Sequence, residues 1–197
     1  MSKLDELIAE MCPNGVEYRP LKEVCSIERG KRVTKSMLSD EGDYPVYQNC
    51  LTPMGFYGES NVSANTPIVI VGGAAGEIGF IDVDFWAADD CVYLSGDGVL
   101  NRYIYHFLQK NASYIKGNVR RASIPRLPRS VIEDLQIPVP PLEVQREIVR
   151  VLDNFTFLTA ELTAELTAEL TARKKQYEYY RDQLLSFDSL GGGDTES

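Results

Sequence analysis

Thr159-Ala-Glu-Leu-Thr-Ala-Glu-Leu-Thr-Ala-Glu-Leu170 is one tetrapeptide written three times, and its reading decides how the chain is organised. Ala, Glu and Leu are strong helix formers. A period of four returns Leu158, Leu162, Leu166 and Leu170 to nearly one helix face. Upstream, Ile148, Leu152 and Phe155 extend the row at spacings of four and three. No Gly or Pro occurs from Leu142 to Phe187. A single helix is therefore predicted over 142–187, about 70 Å long and far longer than one domain needs. One apolar stripe on a lone helix requires a partner. The short amphipathic helix predicted over residues 3–11 cannot cover it. The stripe thus predicts a homodimer interface at Leu158, Leu162, Leu166 and Leu170.

The pattern stops on both sides. Ile137-Pro-Val-Pro-Pro141 holds three prolines in four positions, which keep the chain extended. It reads as a junction over 137–141, and Pro141 suits the start of a helix. The Gly-rich, polar stretch 188–197 reads as a disordered tail. Residues 1–136 read as a separate, strand-rich domain. Its strand candidates are Tyr44–Tyr47, Thr66–Val71, Ile78–Val83 and Cys91–Leu94, rich in β-branched and aromatic residues and punctuated by Gly, Asn, Asp and Pro. Between 99 and 110, Leu100, Tyr103, Ile104, Phe107 and Leu108 fall on one helical face. Residues 116–129 read as a basic loop, and Ser130-Val-Ile-Glu133 as a capping box opening one further helical turn. The fold class expected is α+β: a strand-rich domain followed by one long coiled-coil-forming helix.

The net charge is −9, yet the basic residues are not scattered. Residues 19–35 carry six Lys or Arg and two acids, and residues 102–129 carry seven and no acid. Residues 36–101 between them carry ten acids and no Lys or Arg. A basic face on an acidic body is the electrostatic footprint of a selective DNA binder. The candidate contacts to double-stranded DNA are Lys31, Arg32 and Lys35 from the first window, and Lys116, Arg120, Arg121 and Arg126 from the second. Asn118 and Ser123 are candidates for base edges. Arginine can read guanine bidentately, and Lys and Arg also hold phosphates.

Catalytic motifs are not legible. Val71-Gly-Gly-Ala-Ala-Gly-Glu-Ile-Gly79 lacks both the GK[ST] ending of a phosphate loop and the spacing of a dinucleotide fingerprint, so a turn between strands is predicted. The acid pairs Asp89-Asp90 and Glu133-Asp134 have no histidine or cysteine cluster beside them. One histidine, His106, and four cysteines without a CxxC pair argue against a zinc site. Reduced thiols, no signal peptide and no apolar span give a cytoplasmic expectation without a membrane partner.

Several stretches together resemble the specificity subunits of type I restriction–modification enzymes. They are Gly15-Val-Glu-Tyr-Arg-Pro-Leu-Lys-Glu-Val24, Tyr44-Pro-Val-Tyr47, Phe85-Trp-Ala87, Pro125-Arg-Leu127 and Ile137-Pro-Val-Pro-Pro-Leu-Glu-Val-Gln145. Gly30, Ile148-Val149 with Leu152-Asp153, the tetrapeptide repeats and Arg173-Lys-Lys-Gln-Tyr-Glu-Tyr-Tyr-Arg-Asp-Gln-Leu-Leu-Ser-Phe187 complete the set. The resemblance implies a non-catalytic subunit whose recognition domain reads half of a bipartite DNA site. It implies modification (methyltransferase) subunits as partners, with S-adenosylmethionine bound there and no cofactor on this chain, and a restriction subunit as a further partner. It places the methyltransferase interface at the two ends of the helix, with Leu142, Gln145 and Ile148 at the start and Tyr177, Tyr180 and Leu184 at the end. The chain departs from the family pattern in length, with one recognition domain and one spacer helix in place of two. An interaction protein that occupies methyltransferase subunits without reading DNA is the alternative, and an enzyme of unknown type is a weaker one.

Overall fold

The structure is a computed structural model and describes residues 2–186. The first helix, α1 (Lys3–Met11), starts on a reciprocal cap: the Asp5 N–H donates to the Ser2 hydroxyl at 3.2 Å, and the Ser2 N–H to the Asp5 carboxylate at 2.8 Å. Then follow β1 (Tyr18–Pro20), the single turn α2 (Leu21–Val24) and β2 (Cys25–Arg29). Short strands β3 (Tyr44–Tyr47), β4 (Phe56–Tyr57), β5 (Thr66–Ile70), β6 (Ile78–Ile81), β7 (Trp86–Ala87) and β8 (Cys91–Gly96) occupy the region predicted to be strand-rich. Helices α3 (Asn101–Lys110), α4 (Ala112–Gly117) and α5 (Ser130–Glu133) come next, then β9 (Gln136–Pro138) and the long helix α6 (Leu142–Leu185).

A four-stranded antiparallel sheet of order β2-β8-β5-β6 forms the centre. Helix α3 covers one face: Tyr103, Ile104, Phe107 and Leu108 pack with Val69, Val92 and Leu94. Ile68, Ile70, Ile81, Phe85 and Cys91 fill the opposite side. All five residues of β5 are buried, which accounts for the apolar run Pro67–Ile70 within it. A second sheet of order β4-β3-β7 pairs β3 with β7 in parallel, Val46 opposite Trp86.

Three local readings change. Lys116 lies on α4, so the basic loop begins after Gly117. Ser130 does not cap α5: Arg129 holds that position without a side-chain cap, and its guanidinium pairs with Glu133 at 2.6 Å. The proline-rich junction opens as a strand, with Ile137 fully buried and Arg19 opposite it in β1. The chain accordingly divides into a unit that ends at Val151 and a second that begins at Leu152, beyond the boundary expected at 136. Helix α6 ends at Leu185, two residues before the predicted limit, and the tail expected over 188–197 lies outside the described residues.

The start of α6 is an integral part of the first unit. Gln145 is fully buried; its side-chain oxygen accepts from the Leu100 N–H at 2.9 Å and its amide donates to the Pro140 carbonyl at 2.8 Å. Glu147 is only 4% exposed and accepts from Arg150 at 2.6 Å and 3.0 Å, with Lys3 at 3.3 Å. The Arg150 hydrogen bonds, then Lys3, hold its carboxyl at about 2, below the usual 4.5, against the opposing effect of desolvation. A carboxylate depressed in the folded state adds stability above its unfolded value and loses it as pH falls through the folded one. The first unit should therefore lose stability between about 4.5 and about 2. Glu147→Gln should flatten that part of a denaturation-versus-pH profile; an unaltered slope would contradict the assignment.

Candidate nucleic-acid interface

The turn between β5 and β6 carries Gly72 and Gly73, and the basic segment after α4 is laid against it. The Leu127 N–H donates to the Val71 carbonyl at 2.9 Å and the Gly73 N–H to the Pro125 carbonyl at 3.2 Å. Gly72 and Arg126 form an isolated antiparallel bridge. The segment also closes on itself: the Arg120 N–H donates to Arg126 at 2.8 Å and the Arg126 N–H to Arg120 at 3.1 Å. Arg121, Ser123 and Ile124 stand exposed on the loop so formed.

The two basic windows meet at an acid. The Arg126 guanidinium donates to the Asp90 carboxylate, and Arg29, which ends β2, lies 3.9 Å from the same oxygen. The Asp90 side chain is 16% exposed, while Arg29 and Arg126 are about half exposed. A cavity of about 370 Å³ opens here, lined by Arg29, Val71, Val92, Arg126, Leu127 and Arg129. The Arg129 guanidinium also donates to the Ile27 carbonyl. A concave surface bordered by three guanidiniums suits phosphate or base-edge contacts.

The remaining predicted residues are distributed around it. Lys31 and Arg32 are exposed on a segment held down by its backbone: the Lys31 N–H donates to Ala87 and the Trp86 indole N–H donates to the Lys31 carbonyl, each at 2.9 Å. That approach requires glycine at 30, where a Cβ would come within 2.3 Å of the Ala87 and Ala88 carbonyls. Lys35 is exposed on a 3-10 turn, and among the described residues no hydrogen bond or ion pair joins it, Lys31 or Arg32 to Arg126. Lys116 borders a separate cavity of about 230 Å³ with Gly76, Glu77 and Gln109. Asn118 closes α4, its amide donating to the Tyr114 carbonyl at 2.9 Å. Arg29, Arg129 and Asp90 were not among the predicted residues. The window 19–35 contained the signal for Arg29; nothing near Asp90 in sequence pointed to a cation 36 positions away.

Leu158, Leu162, Leu166 and Leu170 are each 56% exposed on α6, and Tyr177, Tyr180 and Leu184 are exposed near its end. The predicted interface at the helix start is reduced. Gln145 is consumed by internal hydrogen bonds and Ile148 packs on the core, which leaves Leu142 at the surface. Burial pushes the Cys25 and Cys91 thiols up to about 12, so neither is a ready nucleophile. No helix among the described residues is long and apolar enough to cross a membrane.

Residues 13–172 match the family model for the type I restriction modification DNA specificity domain. The chain is 37% identical over 193 residues to a putative type I restriction enzyme specificity subunit of Haemophilus influenzae, with 89% of this chain and 47% of that protein covered. It is 34% identical to a type I restriction enzyme specificity subunit of Escherichia coli, over 95% of this chain and 48% of the relative. Among solved structures, the S subunit of a type I restriction-modification system from M. genitalium superposes with a TM-score of 0.64 at 20% identity, covering 89% of this chain and 47% of that one. The fold is thus shared, and the chain spans about half the length of the curated relatives it matches. Matched over most of its length, the chain belongs to the type I restriction modification DNA specificity family.

Proposed function

We propose that the chain is a sequence-specific DNA-recognition subunit of a type I restriction–modification complex, without catalytic chemistry of its own. The observation that carries this reading is the meeting of the two basic windows at Asp90, in a molecule whose net charge is −9. Arg29 comes from the first basic window and Arg126 from the second, so the fold brings both windows to one surface. Arg120, Arg121 and Arg126 with Arg29 and Arg129 form the centre of the DNA face. Lys31, Arg32, Lys35 and Lys116 extend it along the backbone, and Asn118 and Ser123 stand beside it for base edges. The partners are double-stranded DNA, a second copy of the chain through the leucine row, and modification subunits that supply S-adenosylmethionine. Leu142, Tyr177, Tyr180 and Leu184 are the side chains offered to the modification subunits. A restriction subunit is a further partner, and the complex is cytoplasmic.

The test combines the chain with a type I modification subunit, S-adenosylmethionine and DNA, and maps methylated adenines by sequencing. A defined bipartite motif is the expected result; assembly without DNA binding would favour the interaction-only reading. Within that complex Arg120→Ala with Arg121→Ala should weaken DNA binding and lower the salt slope by about one for each lost phosphate contact. Unchanged affinity and slope would remove the loop from the DNA face.

A further inference from the structure

We propose that Asp90 is a positioning residue: its carboxylate clamps Arg29 and Arg126 together and so fixes the loop from Arg120 to Arg126 as the reading element of the DNA face. This rests on the DNA-recognition reading above. An acid inside a DNA-binding surface opposes binding by charge alone, so its placement there calls for another role. Asp90 is set from both sides: its carbonyl accepts from the Val71 N–H at 2.8 Å, and its carboxylate receives the Arg126 guanidinium. Arg29 reaches the same oxygen and also donates its Nε–H to the Asp89 carbonyl. Arg126 meanwhile gives both its backbone groups to Arg120. The pinned side chain and the bridged main chain thus act on one residue and close the base of the loop that exposes Arg121, Ser123 and Ile124. Space for the clamp comes from Gly72. A Cβ there would sit 2.5 Å from the Asp90 carboxylate oxygen and 2.7 Å from Arg126 Nη1. A fixed loop loses less freedom on binding than a loose one, which is how a residue that repels phosphate can raise affinity.

Two variants of the full chain test this. Asp90→Asn removes one negative charge and the clamp; Gly72→Ala disturbs the clamp without changing charge. Binding is read by anisotropy of a fluorescent mixed-sequence duplex of about 40 base pairs across a salt series, and loop order by hydrogen exchange at the 120–127 amides. Both variants should bind about tenfold more weakly at 0.1 M salt with a salt slope lower by about one or two. Exchange should rise in the loop and hold steady in the central sheet. Asp90→Asn binding as tightly as the parent or more tightly, with the slope unchanged or steeper, is what charge counting predicts and would overturn the proposal. So would loop amides that exchange as in the parent. Should Asp90→Asn fail to fold, Gly72→Ala decides by the same readouts. A parent chain that binds no duplex, either alone or assembled with modification subunits, would instead sink the functional reading, and the exchange comparison would still decide whether Asp90 orders the loop.

Discussion

Leu162→Glu with Leu166→Glu should convert a paired chain into a monomer. Each leucine of the row leaves 56% of its surface in water, and Phe155 at 64% and Tyr177 at 66% continue the exposure along α6. Completing the burial of one such side chain contributes roughly 1 kcal/mol. Over four leucines in each of two copies this gives about 8 kcal/mol, within the range of about 4–15 kcal/mol that association costs. The row alone is therefore marginal, and the substitution acts strongly because it does more than remove contacts. In a two-fold symmetric pair each introduced carboxylate enters twice, so four charges meet an apolar seam without partners. The threonines beside the row do not present that problem. Thr159, Thr163 and Thr167 each donate to the carbonyl four residues earlier at 2.7 Å, so their hydroxyls need no partner across a seam. The measurement is molar mass by light scattering at micromolar concentration, for parent and variant. A parent already monomeric, or a variant with the parent's mass, would refute self-association through this stripe.

What sequence made visible depended on whether the causes were local. The central strands were legible because Thr66-Pro-Ile-Val-Ile and Cys91-Val-Tyr-Leu are rich in β-branched and aromatic residues and bounded by turn residues, and all strand candidates contain a strand. The long helix was legible because nothing from Leu142 onward breaks it. The β1–β9 pair was not, since both strands are three residues long and each ends in a proline, which argues for a linker. Gln145 was misplaced for a related reason. Its position on the helix was clear, but its need to satisfy the Leu100 N–H arises only once α3 is packed beside the start of α6. Asp90 is the sharpest case. In sequence it is half of an acid pair in an acidic stretch. In space it joins the two basic windows, and no local pattern encodes a contact to Arg126.

Deleting Thr163–Leu166 should shorten the gap between the two half-sites while leaving the half-sites themselves unchanged. Four residues contribute ~6 Å of helix and turn it by ~400°, a net of ~40° beyond one turn. The leucine row therefore survives the deletion nearly in phase, and pairing survives with it. At ~3.4 Å per base pair, ~6 Å corresponds to roughly one or two base pairs. One base pair turns the duplex by about 35°, close to the ~40° by which the deletion rotates the helix. The residues proposed for recognition, from Arg29 to Arg129, lie in the unit that ends at Val151 and are untouched. A helix that serves only as a well-formed segment with favourable propensity predicts no change in target. The experiment assembles the deletion variant with modification subunits and maps modified adenines by sequencing. The same half-sites separated by one or two fewer base pairs would establish the repeat as a ruler. The same half-sites at the parental distance would show that α6 length does not set the gap, and loss of all modification in a variant that still pairs would show that the rotation of ~40° matters more than the length.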